Sequence, residues 1–194
     1  MAQGHYDLAL HHYIRAAEIH PSRSLYQRNV GICLKHLGRV KEARGYLQRA
    51  LDLEPENPDL RNHLGIVLTI QNDLPEALSH LSRAVDLAPQ VGVYHRNLGV
   101  VHVRMGKQTE GARELSRAVE LEPGRADWHN ELGKVLLLLG EGERALGELQ
   151  RAAEMEPIDA RYHHDLSGGL QQASRFREAA MELAEAQRLR PDEA

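Results

Sequence analysis

The sequence is poor in cysteine and in aromatic residues, and both shortages limit what the chain can be. Cys33 is the only cysteine, which excludes an internal disulfide and a metal site built from several thiolates. Only 4% of the residues are aromatic, so a core must be built from Leu, Ala and Val, a composition that favours helices. A lone thiol fits a reducing compartment, and we expect a cytoplasmic protein.

Long apolar runs and an excess of positive charge are also missing. The longest candidate run is VLLLL at residues 135–139, far short of the roughly 20 apolar residues that span a bilayer, so we expect no membrane span. The start of the chain, MAQGHYDLALHHY, lacks the features of a secretory signal. The net charge at pH 7 is −4, and no basic stripe is visible, so we expect no nucleic-acid partner.

Proline, by contrast, is spaced with a fixed period. Six of the eight prolines recur every 34 residues, namely Pro21, Pro55, Pro89, Pro123, Pro157 and Pro191. The frame that they define divides the chain into a half unit, residues 1–23, and full units at residues 24–57, 58–91, 92–125, 126–159 and 160–193. A fixed period of this length is typical of repeat proteins. We therefore predict that residues 1–194 form a single array.

Each full unit is predicted to contain two helices. Apolar residues follow a helical spacing on both sides of unit position 15, with small residues at positions 8, 20 and 27 and Leu at position 24. Position 15 holds residues that favour the left-handed conformation in which helices end, namely Gly38, Asn72, Gly106, Gly140 and Ser174. Proline then ends or follows the second helix. With one helix from the half unit, we expect about eleven helices.

These columns resemble the tetratricopeptide repeat (TPR) family, whose unit is a 34-residue helix-turn-helix with this pattern of small residues, Leu and Pro. The resemblance covers essentially the whole chain. It implies an all-α fold, a right-handed α-solenoid of antiparallel helical hairpins whose first helices line a concave groove. The chain departs from the family at position 4, where Trp is common. The residues at that position are Gln27, Arg61, His95, His129 and His163.

No motif for catalysis, for a cofactor or for a metal ion is visible. The sequence contains no phosphate loop, dinucleotide fingerprint or nucleophile elbow. Cys33 shares its column with valines, which predicts a buried side chain. The most regular histidines recur at position 4, on first helices that should lie about 10 Å apart, whereas the nitrogen ligands of zinc lie at about 2 Å. We expect no enzyme activity, no cofactor and no metal site.

The first helices carry the candidate binding residues. The resemblance implies that unit positions 2, 5, 6, 9 and 12 face the groove. Positions 5 and 6 are polar in every full unit, and position 9 is apolar in three successive units. We predict that amides there bind an extended peptide while apolar side chains bury its anchors. The predicted groove residues are Arg28, Asn29, Ile32, Lys35, Asn62, His63, Ile66, Arg96, Asn97, Val100, Val103, Asn130, Glu131 and Lys134. For any one of them, a solvated face with incidental polarity is the alternative.

The pattern of charges narrows the class of ligand. Family members that hold the acidic C-termini of chaperones use a basic clamp of Lys, Asn and Arg at fixed positions, and this chain barely matches it. In the register that begins at Gly92, Glu131 and Asp165 would repel a carboxylate. Charge along the predicted groove runs from mildly basic around Arg28 and Lys35 to acidic around Asp165. A ligand with a matching charge gradient is our hypothesis.

The sequence therefore predicts a noncatalytic scaffold that binds a peptide or protein segment in the groove. Two alternatives stay open. The chain could be the substrate-recruiting part of a larger enzyme, or a scaffold that forms homo-oligomers through its open ends. It begins in the middle of a unit, which favours a fragment excised from a longer protein but also fits an edge that meets a partner.

Overall fold

The computed structural model describes residues 2–190, and these residues fold as eleven α-helices joined by short turns. The helices are α1 (Ala2–Ile19), α2 (Ser24–His36), α3 (Val40–Leu53), α4 (Pro58–Ile70), α5 (Leu74–Leu87), α6 (Gly92–Arg104), α7 (Gln108–Leu121), α8 (Ala126–Leu138), α9 (Gly142–Met155), α10 (Ala160–Gln172) and α11 (Phe176–Leu189). The first helix of every full unit begins at the first residue of that unit. Pro191 and the end of the last unit lie outside the described residues.

The chain divides into two compact bodies, an N-terminal body of Met1–Val101 and a C-terminal body of His102–Ala194. In the N-terminal body, α2 packs on α3 and α4 packs on α5, each pair forming a helical hairpin. In the C-terminal body, α8 pairs with α9 and α10 with α11 in the same way. First helices of successive hairpins also touch, α2 with α4 and α8 with α10. That all units form one array stays a prediction.

Left-handed residues end the first helix of each full unit. The five residues at position 15 have φ values of 59–77°, with Ser174 at the low end and Gly106 at the high end. The amide of the next residue then donates to a carbonyl five residues back, as Arg39 does to Leu34 at 2.9 Å. This is the hydrogen bond of a Schellman motif, which satisfies carbonyls that the helix leaves open. The predicted role of position 15 is confirmed.

Glycine at position 8 sets the close packing within the hairpins. A β-carbon added at Gly65 would lie 2.5 Å from Cγ of Leu81, and one added at Gly31 would lie 2.6 Å from Cγ of Leu47. Both leucines are fully buried. In the last hairpin, Ser167 takes this position, and its hydroxyl donates to the carbonyl of Ala179 at 2.9 Å. The small-residue column is therefore a packing feature, because the leucine at position 24 occupies the space that a side chain would need.

Candidate peptide-binding groove face

All of the predicted groove residues lie on first helices. We call the surface of α2, α4 and α6 that carries them in the N-terminal body the groove face. Its position 9 residues, Ile32, Ile66 and Val100, are half-buried, whereas Asn62 and Asn97 are buried. In the C-terminal body, Val103 and Glu131 are half-buried, Asn130 is buried and Lys134 is exposed. The groove face therefore combines apolar side chains that keep some accessible surface with polar side chains beside them, including Arg28, Asn29, Lys35, His63 and Arg96.

Polar pairs connect neighbouring first helices, joining position 5 of one to position 6 of the next. In the N-terminal body, Asn97 Nδ2 donates to Asn62 Oδ1 at 2.8 Å, and Arg96 donates to Asn97 Oδ1 at 3.2 Å. The sequence did not reveal this pairing. It means that part of the hydrogen-bonding capacity of Asn62 and Asn97 links helices, which leaves fewer amide groups for the predicted peptide contacts.

The C-terminal body contains a pair in the same register. Asn130 Nδ2 donates to Asp165 Oδ2 at 2.7 Å, and Lys134 Nζ lies 3.3 Å from the same oxygen. The carboxylate of Asp165 therefore accepts from an amide and from a cation of the neighbouring first helix. Such a charge-assisted pair is stronger than a pair of neutral groups.

Arg28 and His63 hold the same register between α2 and α4, yet they make no hydrogen bond within the described residues. Arg28 Nε and His63 Nδ1 are both shielded from solvent and have no partner there. Burial, followed by the charge of Lys35, lowers the pKa of His63 to about 4. Burial also lowers the pKa of Lys35, a half-buried side chain for which residues 2–190 provide neither a hydrogen bond nor an ion pair. Three basic side chains thus share one part of the groove face without an acceptor.

Position 4 has a structural role. Its side chain donates to the carbonyl of the periodic proline six residues earlier in every full unit. The bonds are Gln27 to Pro21 at 3.3 Å, Arg61 to Pro55 at 2.6 Å, His95 to Pro89 at 3.1 Å, His129 to Pro123 at 3.1 Å and His163 to Pro157 at 3.1 Å. The buried aromatic ring that the family often has at position 4 lies one residue earlier, as in Tyr94 and Trp128. This bond was not predicted from the sequence. The signal that could have indicated it is that every residue at position 4 carries a side-chain N–H donor.

In the C-terminal body, the position 4 histidines also contact carboxylates. His129 Nδ1 lies 2.6 Å from Glu148 Oε2, and His163 Nδ1 lies 2.7 Å from Glu182 Oε2. A proline carbonyl can only accept, so Nε2 of each ring carries a proton. At His163, a second proton on Nδ1 satisfies the carboxylate. Burial alone would lower the pKa of His163, but the hydrogen bonds to Glu182 and Pro157 outweigh it, and the pKa is raised.

Three further features were sought in the described part of the chain: a metal site, a reactive thiol and a membrane-spanning helix. Within residues 2–190, no three His, Cys, Asp or Glu side chains are grouped so that they could hold a metal ion. The thiol of Cys33 is buried, and burial raises its pKa, which disfavours the reactive thiolate. No helix in this range combines the length and the apolar character needed to cross a membrane.

Comparison with known proteins assigns the chain to a family. A family model for the tetratricopeptide repeat matches residues 1–58, 37–91 and 96–161. The chain belongs to the tetratricopeptide repeat family. TPR proteins are typically protein-protein interaction scaffolds. No curated protein matches this TPR chain.

Solved structures confirm the predicted all-α repeat solenoid. YrrB, described as a TPR protein with an unusual peptide-binding site, is 20% identical with a TM-score of 0.75, and the match covers 93% of each chain. The pilF protein of Pseudomonas aeruginosa is 21% identical with a TM-score of 0.85, covering 98% of this chain and 87% of that one. MamA from Desulfovibrio magneticus RS-1 is 20% identical with a TM-score of 0.79, covering 88% and 97%. At these identities, the likeness establishes the fold alone.

Proposed function

We propose that this TPR chain is a scaffold that binds an extended peptide or protein segment across its first helices and has no catalytic activity of its own. The groove face of the N-terminal body provides the main contact. The observation that carries this proposal is the combination of unpaired basic side chains with a half-buried apolar stripe on one surface. A structural relative, YrrB, is described as having a peptide-binding site, which supports a peptide as the kind of ligand.

The apolar stripe of Ile32, Ile66 and Val100 is not part of the core of the hairpins. That core is filled by side chains such as Val30, Leu64 and Val67, which are fully buried. The stripe residues are half-buried and keep apolar surface that a ligand would cover. Burying the remaining apolar surface of one such side chain contributes on the order of 1 kcal/mol. The two isoleucines and Val100 together therefore contribute a few kcal/mol to the free energy of binding.

Peptide selection followed by measurement of affinity tests this function. A library of random 12-residue peptides would be selected on the wild-type chain, and the recovered peptides measured by fluorescence anisotropy. Ile66→Ser should weaken their binding by about tenfold, because one apolar contact is lost. Leu53→Ser is the matched control, since Leu53 is also partly exposed, at 43%, but lies on a second helix. Failure to recover any peptide, or equal loss in both variants, contradicts the proposal.

Self-association is a second candidate function, and exposed apolar side chains on the first and last helices of the chain favour it. Leu8 of α1 is 63% exposed, and Phe176 and Met181 of α11 are 67% and 66% exposed. Apolar surface left open in this way often marks contacts between proteins. Light scattering over a range of protein concentrations would show a rising mass if these ends pair. A monomer mass at every concentration would eliminate this candidate.

A further inference from the structure

The Arg28 and His63 pair differs from the two hydrogen-bonded pairs that occupy the same positions on other first helices. Asn62 with Asn97, and Asn130 with Asp165, each combine a donor with an acceptor and form a hydrogen bond. Arg28 can only donate, and the neutral ring of His63 has a single acceptor nitrogen. No hydrogen bond joins the two side chains. The contact between α2 and α4 therefore lacks the hydrogen bond that the two other contacts contain.

The buried atoms without hydrogen-bond partners indicate that this contact lacks an acceptor. Arg28 Nε and His63 Nδ1 are shielded from solvent without a hydrogen bond in the described part of the chain. Lys35, on the same helix as Arg28, is the charge that lowers the pKa of His63 most, so it lies close enough to act on the ring. A buried donor without an acceptor costs about 1–3 kcal/mol, and more for a charged group. An oxyanion placed here would provide an acceptor for Arg28 beside two further basic side chains.

The acidic side chains nearby have other partners. Asp59 is the carboxylate that acts on His63, but it accepts a hydrogen bond from the hydroxyl of Tyr94. Glu54 is close enough to Arg28 to feel its charge, but it accepts from Ser24 and, at 2.6 Å, from Asn57. Neither carboxylate forms a hydrogen bond with Arg28, Lys35 or His63, so the three basic side chains are left for a ligand.

We propose that Arg28, Lys35 and His63 form a subsite for the side-chain carboxylate of an acidic residue in the bound peptide, and that His63 takes up a proton when this carboxylate binds. The assignment rests on the proposed peptide-binding function and names its ligand class. A carboxylate has two acceptor oxygens that match the parallel N–H groups of an arginine. The apolar stripe continues from the subsite at Ile32 and Ile66, so the ligand is an acidic residue flanked by apolar ones.

Proton uptake follows from the surroundings of His63. The groups that act on its ring are Lys35, Arg28 and His36 of α2 and Asp59 of α4. In the free protein, burial and these cations keep the ring neutral above about pH 4. A bound carboxylate adds a negative charge and an acceptor for Nδ1–H, and both raise the pKa of the ring. Affinity should therefore increase as the pH falls from 8 to 5, a range in which a glutamate side chain is still mostly ionised.

Two peptide pools that differ in one charge test the subsite. The pools contain 12-residue peptides with blocked termini and no other charged residue, with Glu at the central position in one pool and Gln in the other. The best Glu peptide should bind at least about tenfold tighter than its Gln counterpart at pH 5.5. Arg28→Gln and Lys35→Gln should each remove most of this preference. Lys41→Gln is the matched control, because Lys41 is an exposed lysine on α3.

The dependence on pH provides the second readout. Tighter binding of the Glu peptide at pH 5 than at pH 8 should disappear in His63→Asn and persist in His36→Asn. In NMR titrations, the ring of His63 should titrate near pH 4 in the free protein and above pH 6 in the complex. Circular dichroism of each variant checks that the helices are intact.

The outcomes separate the two proposals. If Glu and Gln peptides bind the wild type equally, or if Arg28→Gln and Lys35→Gln keep the preference for Glu, the carboxylate subsite is wrong while peptide binding stands. If the midpoint of His63 does not move on binding, the proton uptake is wrong. If neither pool contains a binder, the subsite is wrong, and if the random library also yields none, the proposed peptide-binding function is wrong as well.

Discussion

The two bodies of the chain use the same contact between first helices with opposite chemistry. In the N-terminal body, Arg28 and His63 meet without a hydrogen bond. In the C-terminal body, Asp165 accepts from both Asn130 and Lys134. The hairpins around these contacts are built alike, with a left-handed residue at position 15 in each full unit. The packing columns are thus shared by the two bodies, while the residues at positions 5 and 6 determine whether neighbouring first helices are joined by a hydrogen bond.

Acid should destabilise the N-terminal body through His63. Its pKa of about 4 in the folded chain lies below the ordinary value of 6.5, so the unfolded chain takes up a proton that the folded chain refuses. The stability from neutral His63 is present above about pH 6.5 and is lost as the pH falls towards 4. The loss should amount to about 2–3 kcal/mol. Urea unfolding at pH 7.5 and pH 4 measures it, and His63→Asn should lose less stability over this range than the wild type.

Exchange of the position 8 residues between the bodies should have the next largest effect. Gly65→Ser should destabilise the chain by about 2 kcal/mol, because the new side chain would overlap Leu81. Ser167→Gly should cost about 1 kcal/mol, since it removes a buried hydrogen bond and places glycine in a helix. Gly45→Ser is the control, because Gly45 is exposed and has open space around it. A Gly65→Ser variant as stable as Gly45→Ser would refute the packing argument.

Base should weaken the C-terminal body through His163, the reverse of the response of His63. The raised pKa of His163 means that its contribution to stability is fully present below about pH 6.5 and is lost as the pH rises through the higher folded value. Glu182→Gln should cost about 1 kcal/mol at pH 6 and less at pH 9. Hydrogen exchange of α10 and α11, corrected for the intrinsic rate, measures this difference. Equal effects at both pH values would show that the pair is not ionised.

The periodic pattern predicted the fold down to single residues in places. The columns predicted the left-handed residues at Asn72 and Ser174, because these depend on local backbone preferences that recur in every unit. The units were placed to begin at Ser24 and Pro58, and the structure shows that first helices begin at these residues. The bond from Asn97 to Asn62 was not predictable in the same way. It joins residues 35 positions apart, and it depends on the separation and rotation of two helices that periodicity does not specify.

The candidate site was predicted only in outline. The sequence predicted Arg28, Lys35 and His63 as groove residues. The residue type at a unit position does not reveal whether its side chain forms a hydrogen bond within the protein. The difference depends on side-chain geometry, because Asp59 accepts a hydrogen bond from Tyr94 and forms none with Arg28, Lys35 or His63. The groove as a site for a peptide, and the single array, stay predictions.

The bond from position 4 to the periodic proline has a consequence for how the length of such a chain can change. The donor always stands six residues after the proline, so this bond does not depend on which unit comes before it. Removal of residues 56–89 would place His95 six residues after Pro55, where Arg61 now stands. Loss, duplication or exchange of whole units at the prolines would therefore leave this bond intact at each new junction.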